Sequence, residues 1–398
     1  MNPNSTRFAT FAATIAAALR QPLPLFAVLI VAASMVACAS RPESGFLAPV
    51  AESAIGATDH MLLVATTRER DDRPGTLFNG DRASSLDYAT ITVSIPPNHV
   101  PSNIEWATTA PGDPTTNFVV RDAAYLDGDK AFVQTLNAQL AARPKGSRKV
   151  LVFIHGYNTL FAEGLYRFAQ VVHDSKSPAV PVLFTWASRG KLKDYIYDTN
   201  SATAARDDLE HTLRLVLASD ADQVNVLAHS MGNWVTVEAL RQIKISGDLK
   251  HADKFGMVVL AAPDIDIDVF KSQLRRFGQP KKPFYIVLSR DDKALWLSNF
   301  IAGGEGRVGA DANVDELAAL GATVIDLTDV KADDSSNHGK FAQLAAVAPE
   351  LAPVLAQGIG ANPGAATAGG ATAANPLAAF TTLPVTLLGA PVNIVTGQ

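Results

Sequence analysis

Cysteine is almost absent: Cys38 is the only one in 398 residues. No intramolecular disulfide can form, and the chain beyond that point has neither a cysteine-based metal site nor a cysteine nucleophile. Charge is sparse too. Asp, Glu, Lys and Arg together make up 18% of the chain, the net charge is −5, and the basic residues are scattered. A nucleic-acid partner would need a basic stripe, and none is present. Also missing are a Gly-x-Gly-x-x-Gly after an apolar run and a His-Glu-x-x-His, so neither a dinucleotide cofactor nor a zinc centre is expected, and the expected cofactor set is empty. What remains is an apolar-rich chain, 47% hydrophobic. That is enough for a sizeable core, and it excludes disordered, collagen-like and coiled-coil classes.

The two ends differ from the middle. Residues 1–38 carry Arg7 and Arg20, no acid, and an apolar stretch from Leu23 that closes on Met35-Val36-Ala37-Cys38. This pattern reads as a secretory signal, and it resembles a bacterial lipobox with Met35 in place of the usual Leu. The resemblance implies lipidation at Cys38 and a domain held on a membrane of the cell envelope, outside the cytoplasm. Residues 39–59 have no periodicity and are expected to be a flexible tether. Residues 351–398 carry no charge, are rich in Ala, Gly, Thr and Pro, and are interrupted by prolines at 353, 363, 376, 384 and 391. A flexible tail is expected there rather than a membrane span.

The domain is expected over 60–350. Short early strands are expected at 61–67, 88–95 and 118–120, with a polar loop at 68–85 between the first two. Later apolar runs at 149–154, 182–186, 223–228, 257–261, 283–288 and 323–327 are continuous rather than alternating, as strands buried on both faces read. Helical patterns at 160–174, 201–217, 232–244, 267–277 and 313–320 separate them. Strand and helix in alternation predict an α/β fold, mostly parallel, with helices on both faces and ligands at the carboxyl ends of the strands.

One of those strand ends carries the main chemical signal. The run at 223–228 leads through Ala228-His229-Ser230-Met231-Gly232 into a helix, which is the strand-turn-helix context of a nucleophile elbow. A tight turn lifts the Ser230 hydroxyl clear of the sheet, and small residues two before and two after let strand and helix approach. A serine capping a helix would look similar on its own. The strand at 149–154 ends in His155-Gly156-Tyr157-Asn158, whose backbone would supply one oxyanion donor, from Tyr157 or Gly156, with Met231 supplying the other. The acid and base should follow in that order. Asp292 ends the strand at 283–288, with Asp291 beside it and Asp264 and Asp266 as rivals after the preceding strand. His338, on a polar loop after the last strand, is the only histidine beyond Asp292. His155 and His229 are read as holding loop geometry instead.

Residues 149–158, Phe184 to Gly190, 195–207, 228–233, Ala261 to Asp266 and 289–295 together resemble a bacterial α/β-hydrolase family of unknown function. The likeness spans about 63–341, and it implies the α/β-hydrolase fold and a Ser-Asp-His triad without naming a substrate. The combined expectation is an esterase-like serine hydrolase acting on a small-molecule or lipid ester. A non-catalytic envelope lipoprotein on the same scaffold and a peptidase with the same triad are the alternatives. Trp186, Tyr195, Tyr197, Trp234, Phe270 and Trp296 are candidates for an apolar acyl pocket, and the stretch at 263–282 is too short for a large lid.

Overall fold

The computed structural model describes residue 41 and residues 44–247, 250–277, 284–301, 303–345, 380–387 and 390–397. The signal segment, Cys38 and residues 351–379 of the expected tail lie outside the described residues. The chain divides into Met1–Glu43 and Ser44–Gln398, and only the second is described below.

The strands are β1 (Thr58–Asp71), β2 (Leu77–Ile95), β3 (Val119–Leu126), β4 (Lys149–Ile154), β5 (Val180–Thr185) and β6 (Gln223–His229), then β7 (Phe255–Ala261), β8 (Phe284–Leu288), β9 (Ala322–Asp326), β10 (Phe380–Leu387) and β11 (Ala390–Gly397). They form one eleven-stranded sheet in the order β10-β11-β9-β8-β7-β6-β4-β5-β1-β2-β3. From β1 through to β9 the pairings are parallel. Antiparallel strands flank this block at both edges.

The helices are α1 (Gly128–Ala141), α2 (Phe161–Asp174), α3 (Tyr195–Ala204), α4 (Arg206–Ala218), α5 (Gly232–Ser246), α6 (Ile267–Phe277), α7 (Lys293–Ile301), α8 (Val308–Asp311) and α9 (Val314–Ala319). Residue parity on the strands explains why helices cover both faces. In β4, Val150, Val152 and Ile154 join one apolar cluster with Phe132 of α1, Leu213 of α4, Val235 of α5 and Phe270 of α6. Phe153, pointing the other way, joins a second cluster with Phe168 and Val172 of α2 and with Phe341. Alternation at period 2 inside a continuous apolar run is what a doubly covered strand requires.

Chain order reverses around β4, which lies between β5 and β6. The chain leaves β4 through α2 on one face and leaves β5 through α4 on the other. Such a switch point opens a crevice beyond the strand carboxyl ends. The loop at 155–158 and the turn at Ser230 both stand at that crevice.

Three boundaries depart from expectation. The polar loop at 68–85 is instead the outer part of the β1–β2 hairpin, paired as far as Asp71 with Leu77 through register shifts on either side of Arg68. The domain begins before residue 60: Leu47 is buried, its N–H donates to Gly75 O at 3.0 Å, and the Val50 N–H donates to Val120 O at 2.8 Å. That part of the expected tether is fastened to the sheet. At the other end, residues 380–397 are strands rather than flexible tail, with β11 pairing antiparallel to β9 from Asn393 opposite Asp326 to Thr396 opposite Thr323. Pro384 lies in the edge strand β10, where a missing N–H costs least.

Candidate active site

Ser230 sits between β6 and α5 with φ of +53°, in the left-handed region that non-glycine residues rarely occupy. Bonds on both sides hold it there. Its N–H donates to Ala261 O at 3.0 Å, and its carbonyl accepts the backbone N–H of Asn233 at 3.0 Å and that of Asp264 at 3.3 Å. The Asn233 side-chain amide, buried, donates to Ser230 O at 2.9 Å and to Ala261 O at 2.8 Å. Asn233 is therefore the clamp that stabilises a strained turn, and the sequence reading gave it no role.

Two glycines permit the close approach. A Cβ at Gly232 would stand 2.3 Å from His155 O, and one at Gly156 would stand 2.7 Å from Ser230 Cβ. The main chain at 155–157 is thus pressed against the serine. Burial and the neighbouring Arg68 charge hold His155 down at about 3, so it is neutral. Its Nε2 is 2.8 Å from Thr185 Oγ1, and its ring stacks on Trp186.

His338 Nδ1 lies 2.7 Å from Asp292 Oδ2, and the other oxygen of Asp292 accepts the Leu295 N–H at 3.0 Å. Burial by itself would lower the His338 imidazole, but the bond to Asp292 and the charges of Asp292, Asp264 and Asp334 outweigh it and raise the pKa above the ordinary value. Asp334 fixes the loop by accepting the N–H groups of Ser336, His338 and Gly339 at 3.0, 3.2 and 3.0 Å. His229 contributes from the elbow: its Nε2 is 3.2 Å from His338 O, and burial keeps it neutral.

Ser230 and His338 line one cavity of about 510 Å³ together with Tyr157, Asn158, Tyr195 and Asp264. Among the described residues no hydrogen bond joins Ser230 Oγ to the imidazole, whose Nδ1 is bound to Asp292. Such contacts commonly tighten only when substrate is bound. A second cavity, of about 540 Å³, opens beneath Phe341 and Leu344, and its wall holds no histidine or carboxylate.

The rival acids have other partners. Asp264 accepts from Ser298 Oγ at 2.6 Å and lies 3.4 Å from Arg307 Nε; burial raises its pKa. Asp266 caps α6, accepting the N–H of Asp268 and of Val269 at 3.0 Å each. Asp291 pairs with Lys340 Nζ at 2.7 Å and accepts from Asn337. Of the aromatic candidates, Tyr195 lines the cavity. Trp186 and Phe270 are core, Trp234 packs partly buried against it, Tyr197 lies under Arg189, and Trp296 is exposed outside the cavity wall.

A family model described as an alpha/beta hydrolase of unknown function (DUF900) matches residues 129–356. The chain belongs to this α/β-hydrolase family. Comparison with curated proteins and with solved structures found no match.

In this member of the α/β-hydrolase family a buried arginine outside the matched region supports the loop beside the serine. Arg68 of β1 donates to Thr185 Oγ1, Asn79 O, Ser188 O and Thr159 O at 2.8, 3.0, 2.8 and 2.8 Å. Burial lowers its pKa to about 10, which leaves it charged at neutral pH. The arginine ties β1, β2 and the loops after β4 and β5 into one unit. No sequence signal marked it, because its stretch read as a polar loop. Arg68→Met should cost about 3 kcal/mol of unfolding free energy, since three carbonyls lose a charged donor in the interior. Urea denaturation measures this, and an unchanged midpoint would show that the loops hold without it.

Proposed function

We propose that the protein is a serine hydrolase of carboxylic esters that works through an acyl-enzyme. The observation that carries the reading is the hydrogen bond of buried Asp292 to His338, a half-buried imidazole that lines one cavity with a serine on a strained strand-to-helix turn. In this mechanism His338 Nε2 takes the Ser230 hydroxyl proton as Oγ attacks the ester carbonyl, then gives that proton to the leaving alkoxide. Water repeats the sequence on the acyl-serine. Asp292 keeps the Nδ1 proton in place and stabilises the imidazolium. The backbone N–H of Met231 and that of Tyr157 or Gly156 are assigned to the oxyanion, because the Gly156 main chain abuts Ser230.

A binding scaffold would have no use for a buried carboxylate–imidazole pair beside a strained serine, and nothing in the site favours a peptide over an ester. Labelling with a fluorophosphonate, followed by peptide mapping, tests the proposal. The adduct should fall on Ser230, and an adduct elsewhere, or none, would refute it.

The lipid anchor on Cys38 and the envelope location belong to the same proposal. Among the described residues no helix is long and apolar enough to cross a membrane. Cys38→Ala should shift the protein out of the membrane fraction or block its processing, and wild-type protein carrying an unmodified Cys38 would remove the anchor from the scheme.

A further inference from the structure

Apart from Ile55, the most exposed large apolar side chains among the described residues lie on or next to the segments that line the catalytic cavity. Trp296 is 68% exposed and Phe300 74% exposed, one helical turn apart on α7, and their rings stack with centroids 6.3 Å apart. Across the opening, Leu192 and Ile196 are 62% and 68% exposed. The two sides meet where Tyr195 Oη lies 3.0 Å from Ser298 Oγ.

α7 presents its sides to different surroundings. Leu295 and Ser298 are buried, Leu297 and Ile301 both line the cavity and reach solvent, and Trp296 and Phe300 face outward. A soluble protein does not ordinarily present an aromatic pair to water beside an apolar opening, and such a patch marks an interaction site.

We infer that the outer face of α7, with Leu192 and Ile196 opposite, docks the protein on an anionic lipid surface that presents long-chain esters to the cavity. Two observations favour lipid over another protein. Leu192, Leu297 and Ile301 both reach solvent and line the cavity, so apolar side chains connect the outer face with the cavity that holds Ser230. Lys191, Lys193 and Lys293 are exposed beside the face and complement anionic headgroups. The inference rests on the ester-hydrolase reading for its substrate, and on the exposed face alone for its surface.

The test uses the full chain, so that any anchor is common to all samples. Vesicles of phosphatidylcholine and phosphatidylglycerol with brominated acyl chains should quench tryptophan emission in the wild type, and Trp296→Phe should abolish most of that quenching. Trp296→Ser combined with Phe300→Ser should lower the rate on micellar p-nitrophenyl palmitate about tenfold or more, as loss of two buried aromatic side chains implies. The rate on dissolved p-nitrophenyl acetate should stay unchanged.

Equal quenching in wild type and Trp296→Phe, or an undiminished micellar rate in the double variant, would overturn the inference. So would a wild-type dimer that the double variant converts to monomer without any lipid quenching, since the face would then join two copies. Quenching specific to Trp296 with no turnover of either ester would uphold the docking face and sink the ester-hydrolase reading alone.

Discussion

Ser230→Ala is expected to lower kcat on a p-nitrophenyl ester by about 10³-fold or more while leaving the urea midpoint close to that of the wild type. The reasoning starts from the backbone. Ser230 holds φ at +53°, and alanine meets the same strain there that serine does, so the turn neither gains nor loses from the exchange. The hydrogen bonds that fix the turn use main-chain atoms of residue 230 and the side-chain amide of Asn233. None of these bonds uses the hydroxyl. Removing Oγ thus takes away the attacking atom and leaves the clamp, the 155–157 loop and the Asp292–His338 pair in place. Glycine would be a poorer control, because it relieves the strain and loosens the turn as well. A folded alanine variant that still turned over the ester at a comparable rate would move the nucleophile to another residue.

Much of this arrangement could be read from the chain because the parallel strands are continuous apolar runs and the elbow is a local motif. The strand at 149–154 and the helix that starts at Gly232 stand where their patterns put them. The outer parts of the sheet were harder to read for physical reasons. Between Arg68 and Ser85 the residues are polar because most of them lie at an exposed edge, where ladder hydrogen bonds rather than apolar burial hold the strand. β11 lacks charge and starts beside Pro391, so its composition resembled a linker, although Val392 and Ile394 are buried. α1 lies outside the expected helices, although Phe132, Leu136 and Leu140 stand at four-residue spacing, which is a helical signal. In the site, the Ser-Asp-His order pointed to Ser230 and His338, which line one cavity, and to Asp292, which lies 2.7 Å from the His338 ring. Asn233 and Arg68 act through main-chain acceptors distant in sequence, and no residue pattern encodes such partners.

Asp292→Asn should reduce kcat by about 10³- to 10⁴-fold, whereas Asp264→Asn and Asp291→Asn should each cost less than about tenfold. The carboxylate of Asp292 accepts two bonds at once, from the His338 ring at Oδ2 and from the Leu295 N–H at Oδ1. Asparagine has one acceptor oxygen. If that oxygen stays with Leu295, the amide NH2 faces Nδ1 and selects the tautomer whose Nε2 carries hydrogen and cannot take the serine proton. If it turns to the imidazole, the NH2 confronts the Leu295 N–H inside the protein. Either arrangement disables the base or displaces the loop that holds it. The pH profile supplies an independent reading of the same bond. His338 must be neutral to act, and its pKa is raised in the native protein, so the acid limb of kcat/KM should lie above the ordinary imidazole value of 6.5. Activity then falls as pH drops through that raised value. In Asp292→Asn the principal raising influence is gone while burial still disfavours the imidazolium, so the acid limb of the residual activity should move to lower pH. Asp264 accepts from Ser298 Oγ, pairs with Arg307, and raises the imidazole less than Asp292 does, so its amide variant should lower the limb by less than Asp292→Asn. A larger loss in Asp264→Asn than in Asp292→Asn, with the limb moving further in the former, would transfer the acid to the loop after β7.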